Sequence, residues 1–406
     1  MQMQNIKSPP PQKLLFGVQK EIFWLGIVSF LTDISSEMIF SVLTIFLMVI
    51  LGTSSAILGL MEGLADFSAS SLDYVSGYLS DKTGKRKFFA LFGYAFSTLA
   101  KIILVFANTV GAVIAFRVVE RLGKSVRGAP RDALISSISK QSKLGFSFGF
   151  HKMLDKAGAV LGPVVAYLLL LFLGQTAGTF NLLFWIALVP AALAVILLAV
   201  TVKEKPALTP AGPRRFFSIY KDMGPEYKKY LKIAGLFSIG YFSFAFLLLK
   251  AYQVGFEIKD VTLLYAIFNV SFILISIPVG KIGDKIGRNK IILTEYLIYF
   301  LMCAGFVFAA SKIAVILLFL LYGVFYAIDE GQTKAYISSI TPEEHRAGAI
   351  GLYSFITGLI YLPASLIAGF LWQLGGPGAA FTFGAAASLI AFALFLFHSS
   401  KKSAYN

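Results

Sequence analysis

Gly77-Tyr-Leu-Ser-Asp81-Lys-Thr-Gly84-Lys-Arg86-Lys87 returns as Gly280-Lys-Ile-Gly-Asp284-Lys-Ile-Gly287-Arg288-Asn-Lys290, 203 positions later in a chain of 406 residues. A repeat at half the chain length marks a duplication. Each copy is a short basic segment between two long apolar runs, and internal repeats in membrane proteins commonly build two halves around a central substrate path. A second marker agrees: Ile135-Ser-Ser-Ile138 reappears as Ile337-Ser-Ser-Ile340 at an offset of 202, which also relates Gly149 to Gly351.

Outward from these motifs, composition places the chain in a bilayer. Hydrophobic residues make up 57% of it, charged residues only 14%, and 39 positions are Phe; a soluble protein of this length needs more polar surface than that. Apolar runs near 22–49, 56–79, 88–107, 110–126, 145–173, 179–202, 231–253, 260–280, 291–309, 313–333, 347–373 and 378–397 are about long enough to cross a ~30 Å hydrocarbon core as helices. The runs lack the ~10-residue alternation of barrel strands. The expected fold is all-α: twelve transmembrane helices in two pseudo-symmetric six-helix halves, 1–202 and 231–406, joined by a polar linker at 203–230 that holds Pro206, Pro210, Gly212, Pro213 and Pro225.

The net charge of +15 is a topology signal. Lys82, Lys85, Arg86 and Lys87, the linker lysines and arginines, Lys281, Lys285, Arg288 and Lys290, and finally Lys401 and Lys402 fall in alternate loops. By the positive-inside rule those loops and both termini are expected in the cytoplasm, with some attraction to anionic lipid headgroups and no role in binding nucleic acid. The first run follows a Pro-rich polar start and holds Asp33 and Glu37, so it reads as an anchor and not a cleavable leader. One Cys and three His give no metal-ligand spacing, and no Gly-x4-Gly-Lys-Ser/Thr loop points to ATP, so no cofactor or metal is expected.

An ionisable side chain at mid-membrane costs roughly 3 kcal/mol or more, which makes each one a functional candidate. Asp33 and Glu37 stand four apart on one face of the first span, Asp33 about 18 Å along the helix from its cytoplasmic end. In the fourth span Arg117, Glu120, Arg121 and Lys124 follow the i, i+3, i+4, i+7 pattern of a single face. Asp329 and Glu330 lie in the tenth, near Tyr322 and Tyr326. Glu62, Asp66 and Asp73 form an acidic stripe on the second span, expected to pair with Lys101 and Lys156, and His151 with Asp155 is expected to join a network with Arg127, Arg131 and Asp132. Glu120 and Lys124 read best as static ion-pair members. No nucleophile, metal set or catalytic dyad stands out, and no enzyme is expected.

The segment from Gly77 to Lys87, its copy from Gly280 to Lys290, the twelve spans and the basic central loop together resemble the major facilitator superfamily over essentially the whole chain. Thr32-Asp-Ile-Ser-Ser-Glu-Met38 and Arg127-Gly-Ala-Pro-Arg-Asp-Ala-Leu134 resemble a bacterial branch whose substrates are mostly unassigned. The resemblance implies that spans one, four, seven and ten line a central cavity. It also implies that Gly77, Asp81, Gly84 and Arg86, with Gly280, Asp284, Gly287 and Arg288, form gating latches; plain topological anchoring is the alternative. Gly149, Gly158, Gly162 and Pro163 are similar to the helix-five motif of antiporters, or serve helix packing alone. The expected protein is then a monomeric, proton-coupled secondary transporter of a small ionic or zwitterionic solute in the bacterial inner membrane. Asp33 or Glu37 would carry the proton and Arg117 and Arg121 the anionic group of the substrate, with Asp329, Glu330 and Tyr326 nearby. Efflux by antiport leads, with uptake by symport next and a non-transporting sensor as the reading from a different class.

Overall fold

The computed structural model describes residues 14–139, 143–204, 220–342 and 345–403. A two-residue hairpin, β1 (Leu14–Leu15) with β2 (Val18–Gln19), leads into α1 (Lys20–Ile45), which ends in a π-helical turn, Phe46–Ile50. Then come α2 (Ser55–Thr83), α3 (Arg86–Val105), α4 (Val110–Ile138), α5 (Leu144–Leu173) and α6 (Ala177–Thr201). The second half holds α7 (Pro225–Gly240), α8 (Ala245–Gln253), α9 (Ile258–Ile286), α10 (Arg288–Phe308), α11 (Lys312–Ser339) and α12 (Arg346–Ser403).

Together α7 and α8 make the seventh span, and α12 turns at Gly376 (φ 74°) into the eleventh and twelfth. Among the described residues nine stretches are long and apolar enough to cross a membrane. Division of the last at Gly376 and addition of α2 and α4, which carry too many charges to pass on hydropathy alone, give the expected twelve. The fourth run, read as 110–126, continues as helix to Ile138 with Pro130 inside it. Apolarity marks where the bilayer stops, whereas the backbone hydrogen-bond ladder runs on beyond it. The seventh span starts at Pro225, inside the stretch read as linker, where a proline's missing N–H costs nothing at a first helical turn. Most of that linker, 205–219, lies outside the described residues.

Each helix that begins on the face opposite the basic loops receives a hydroxyl cap when it can: Ser54 for α2, Thr109 for α4, Thr176 for α6 and Ser311 for α11. Such caps satisfy one of the four orphan N–H groups at a helix start. Within the first half α1 packs on α5 and α6, and α4 on α2 and α3; within the second α9 packs on α11, and α12 on α7 and α10. The halves meet along α2 against α12 and α5 against α9. At the α2 junction Ser55 Oγ donates to Gly369 O (3.0 Å), and a side chain at Gly369 would drive its Cβ to 2.5 Å from Ser55 O. Small residues therefore let these backbones touch where lipid supplies no hydrophobic drive for association.

Candidate functional site

Between the halves lies a cavity of about 370 Å³. Its wall is broken open at span seven, where the chain leaves α7 at Gly240 and re-enters helix at Ala245, placing Tyr241, Phe242, Ser243 and Phe244 on the lumen. Non-helical backbone at membrane depth persists only where protein or a water-filled cavity satisfies it. Here Tyr299 Oη donates to the Gly240 carbonyl (3.0 Å).

The first half supplies charge. Arg117 on α4 grips Glu62 on α2 through two parallel bonds, Nε to Oε1 (2.9 Å) and Nη2 to Oε2 (2.8 Å), and its guanidinium lies 4.2 Å above the Phe40 ring. Both side chains are 6–7% exposed, so this is a desolvated, geometry-matched pair of the strongest kind. One helical turn on, Arg121 reaches Asp66 at 3.2 Å, each side chain 25% exposed. Lys124 and Lys156 complete the basic lining.

The second half supplies rings and hydroxyls: Tyr241, Tyr265, Tyr322, Tyr326, Tyr361, Phe244 and Phe268, with Asp329 as its one charged lining residue. Two bonds cross between the walls. Ser243 Oγ donates to Glu62 Oε2 (3.1 Å), and Tyr265 Oη donates to Glu37 Oε2.

The expected site residues fall into two groups. Glu37, Arg117, Arg121, Tyr326 and Asp329 line the cavity together. Asp33 lies off it, against α5 at Gly158, with Asp155, Lys124, Glu37 and Arg127 as its charged surroundings. Glu330 points away from the lumen to Lys152 (3.1 Å), an ion pair that joins α11 to α5 across the halves. Arg117, Glu120, Arg121 and Lys124 on α4 do not share one fate: Glu120 is fully buried outside the lining, 4.0 Å from Arg117, with neither carboxylate oxygen hydrogen-bonded.

One expected pairing is corrected. Glu62 and Asp66 pair with Arg117 and Arg121, not with Lys101 and Lys156, because α2 packs on α4 and its acidic stripe meets that helix first. Lys101, fully buried, instead donates to Ser35 Oγ (2.5 Å) and Ser36 Oγ (3.1 Å), and Lys156 Nζ sits 4.3 Å above the Phe272 ring. His151 bonds Ser29 (2.8 Å), which bonds Tyr94 (3.0 Å), whose ring lies 4.5 Å from the Arg127 guanidinium. Arg131 pairs with its neighbour Asp132 at 2.9 Å and its charge also acts on Tyr94, Asp155 and His151, so the expected residues gather here, with Ser29 and Tyr94 as links the sequence did not show.

At the repeated loop motif, Gly84 caps α2 at φ 68° and Gly287 turns the chain at φ 94° between α9 and α10. Gly77 abuts Ala129 of α4 and Gly280 abuts Gln332 of α11. Arg86 donates to Ala133 O (3.4 Å), while Arg288 holds both Asp284 (2.6 Å) and Gln332 (3.2 Å). These ties lie within each half; the side chain of Asp81 is outside the described residues. On α5, a Cβ at Gly162 would stand 2.6 Å from Ile34 O, and Gly158 meets the Phe30 carbonyl as closely, so both glycines seat α5 on the α1 backbone next to buried Pro163. Gly149 has open space instead. Sequence reasoning missed Ser243, Asn269 and Ser365 in the lining; for Asn269 a signal exists in the repeat offset of 203, which sets it opposite Asp66.

A charged and aromatic cavity enclosed by two related six-span halves defines a membrane transporter. The chain belongs to the Major Facilitator Superfamily, whose sequence profile matches residues 25–329 and 233–406. It is 38% identical over 388 residues to an uncharacterized MFS-type transporter of Methanocaldococcus jannaschii, covering 94% of this chain and 95% of that one. Its fold is similar to that of the nucleoside transporter NupG (TM-score 0.79, 14% identity, 92% of this chain and 98% of that one). A peptide transporter, POT, is similar too (TM-score 0.78, 14% identity, 96% of both chains). The family is one of transporters and not of enzymes.

Proposed function

We propose that this protein is a secondary active transporter that carries a small ionic or zwitterionic solute by alternating access, driven by protons, and exports it by antiport. The observation that carries the reading is the split cavity: seven of its eight charged lining residues belong to the first half, while the second half answers with tyrosines. A cavity of about 370 Å³ lies at the small end of ligand sites, which suits a metabolite-sized solute. Four cations beside four carboxylates make it costly for a neutral sugar to displace the waters that serve those charges.

Glu37 is the proton carrier in this reading, in preference to Asp33, because Glu37 faces the lumen and bonds Tyr265 of the opposite half. A bond to a charged carboxylate is about twice as strong as one to a neutral group, so protonation loosens a tie between the halves. The halves also interlock on the face opposite the basic loops, through Ser55 with Gly369 and Gln175 with Glu257 (3.1 Å). The basic face is assigned to the cytoplasm of a monomer in the plasma membrane.

The test is internal pH in proteoliposomes while metabolites are offered one at a time. Solute-dependent proton flux that is lost in Glu37→Gln and kept in Asp33→Asn is the expected result, and its sign separates antiport from symport. Flux that survives Glu37→Gln overturns the proton role.

A further inference from the structure

Of the charges in the cavity, most are already engaged. Glu62 and Asp66 neutralise Arg117 and Arg121, and Glu37 is held by Tyr265. Three remain. Lys124 is exposed to the lumen and, among the described residues, has neither a hydrogen bond nor an ion pair. Lys156 touches the Phe272 ring, which in turn packs on Tyr326 with ring centroids 5.3 Å apart, and it feels Glu330, Asp155 and Asp33 without hydrogen-bonding to any of them. Across the lumen Asp329 accepts a single bond from Tyr241 at 3.5 Å, the outer limit of a hydrogen bond.

The duplication fixes how Lys124 and Asp329 face one another, and the Phe272 ring fixes Lys156 near Tyr326. The 202-residue offset makes Lys124 and Tyr326 equivalent positions of the two halves, at one depth on opposite walls, and Asp329 follows Tyr326 by about one helical turn. Two ammonium groups without a hydrogen-bonded carboxylate thus share the lumen with one weakly held carboxylate, among aromatic rings. We propose that the cargo is an aromatic zwitterion of amino-acid to dipeptide size. Its carboxylate lies between Lys124 and Lys156, its ammonium meets Asp329, and its ring rests on Tyr326, Tyr361 and Phe268. A dianion would leave Asp329 facing like charge, and a simple cation would leave both lysines unmet. This assignment rests on the transporter reading for its biological sense, and on the cavity alone for its binding.

The test is thermal stabilisation of the detergent-purified protein by tryptophan, tyrosine and diphenylalanine, each compared with its N-acetyl and its amide form. The zwitterions bind at least about tenfold tighter than either capped form, since each cap leaves one wall uncompensated and a factor of ten is one modest interaction. In Asp329→Asn the penalty for acetylation disappears and the penalty for amidation stays; in Lys124→Met the penalty for amidation shrinks to what Lys156 alone supplies and the penalty for acetylation stays. A capped form that binds as well as its parent, or a panel in which nothing binds, overturns the inference, and the wild-type comparison alone suffices should a variant fail to fold. Counterflow in proteoliposomes tells the two proposals apart. Zwitterion binding without any flux would keep this inference and sink the transporter reading. Flux of a solute of another charge class would do the opposite.

Discussion

The two walls of the cavity descend from one duplicated sequence and hold themselves together by different chemistry. In the first half α2 is joined to α4 by a ladder of ion pairs, Glu62 with Arg117 and Asp66 with Arg121. At the repeat offsets those four positions become Tyr265, Phe319, Asn269 and Gly323, while Glu120 becomes Tyr322 and Lys124 becomes Tyr326. The corresponding helices α9 and α11 are joined by rings: Phe244 packs against Tyr265, Phe268, Phe319 and Tyr322 with centroids 4.8–5.6 Å apart. One scaffold thus accepts either a charged or an aromatic seam at the same place. The difference shows that the fold requires only a filled, satisfied contact there, and that charge on one wall is surplus to folding.

The largest effect is expected where one side of the charged seam is removed. Glu62→Gln removes both hydrogen bonds of the buried Arg117 to a carboxylate and leaves it only Glu120, 4.0 Å away, as a close counter-charge; loss of one partner of a buried pair costs about 3–5 kcal/mol. A double replacement that copies the other wall, Glu62→Tyr with Arg117→Phe, removes both charges and fills the space with rings. Thermal denaturation in detergent is expected to show the single variant strongly destabilised and the double variant restored most of the way, with solute flux absent from both. A double variant no more stable than the single one would break the equivalence of the two seams.

A middle-sized effect is expected at the bond between the walls. Tyr265→Phe keeps the ring against Phe244 and deletes only the hydroxyl that serves Glu37. An unserved buried carboxylate costs about 1–3 kcal/mol. Because the two residues lie on opposite halves, cysteine probes placed on the face opposite the basic loops are expected to react faster in this variant. Unchanged reactivity would mean that the bond fills the cavity wall without tying the halves.

Much of this arrangement is legible in the sequence, and the gaps have physical reasons. The motif at Gly77 and its copy at Gly280 carried the fold, because a polar, basic turn between two apolar runs has few uses outside a membrane hairpin. The charges on α2 and α4 were visible as candidates, since each stands out against an apolar background. Their partners were not: the Glu62–Arg117 pair joins residues 55 apart, and only the packing of α2 on α4 selects Arg117 over Lys101. Helical spacing also put Glu120 on the face of Arg117 and Lys124, yet its side chain turns to the interior of the half, away from the lumen. Periodicity assigns a face and tells nothing about which neighbour covers its edge. The tyrosine wall was legible as candidates, Tyr322 and Tyr326 beside Asp329 and also Tyr241, Tyr265 and Tyr361, all of which line the cavity, although 18 tyrosines in an aromatic-rich chain give each one little contrast.

The smallest effect is expected one turn along the same seam. Asp66 and Arg121 repeat the Glu62–Arg117 arrangement, but at 25% exposure each, against 6–7%. Water and salt screen a partly exposed pair, and such pairs contribute about 0.2–1 kcal/mol. Asp66→Asn is therefore expected to lower the melting temperature only slightly, and by less still in high salt, although it sits on the same helix face as Glu62. Flux should fall far more than stability, because the change frees Arg121 inside the lumen beside Lys124 and alters the charge that a solute meets. If Asp66→Asn destabilised the protein as much as Glu62→Gln, burial would not be what ranks the two pairs. The charged wall would then act as one cooperative network, and no rung of it could be assigned to folding or to solute alone.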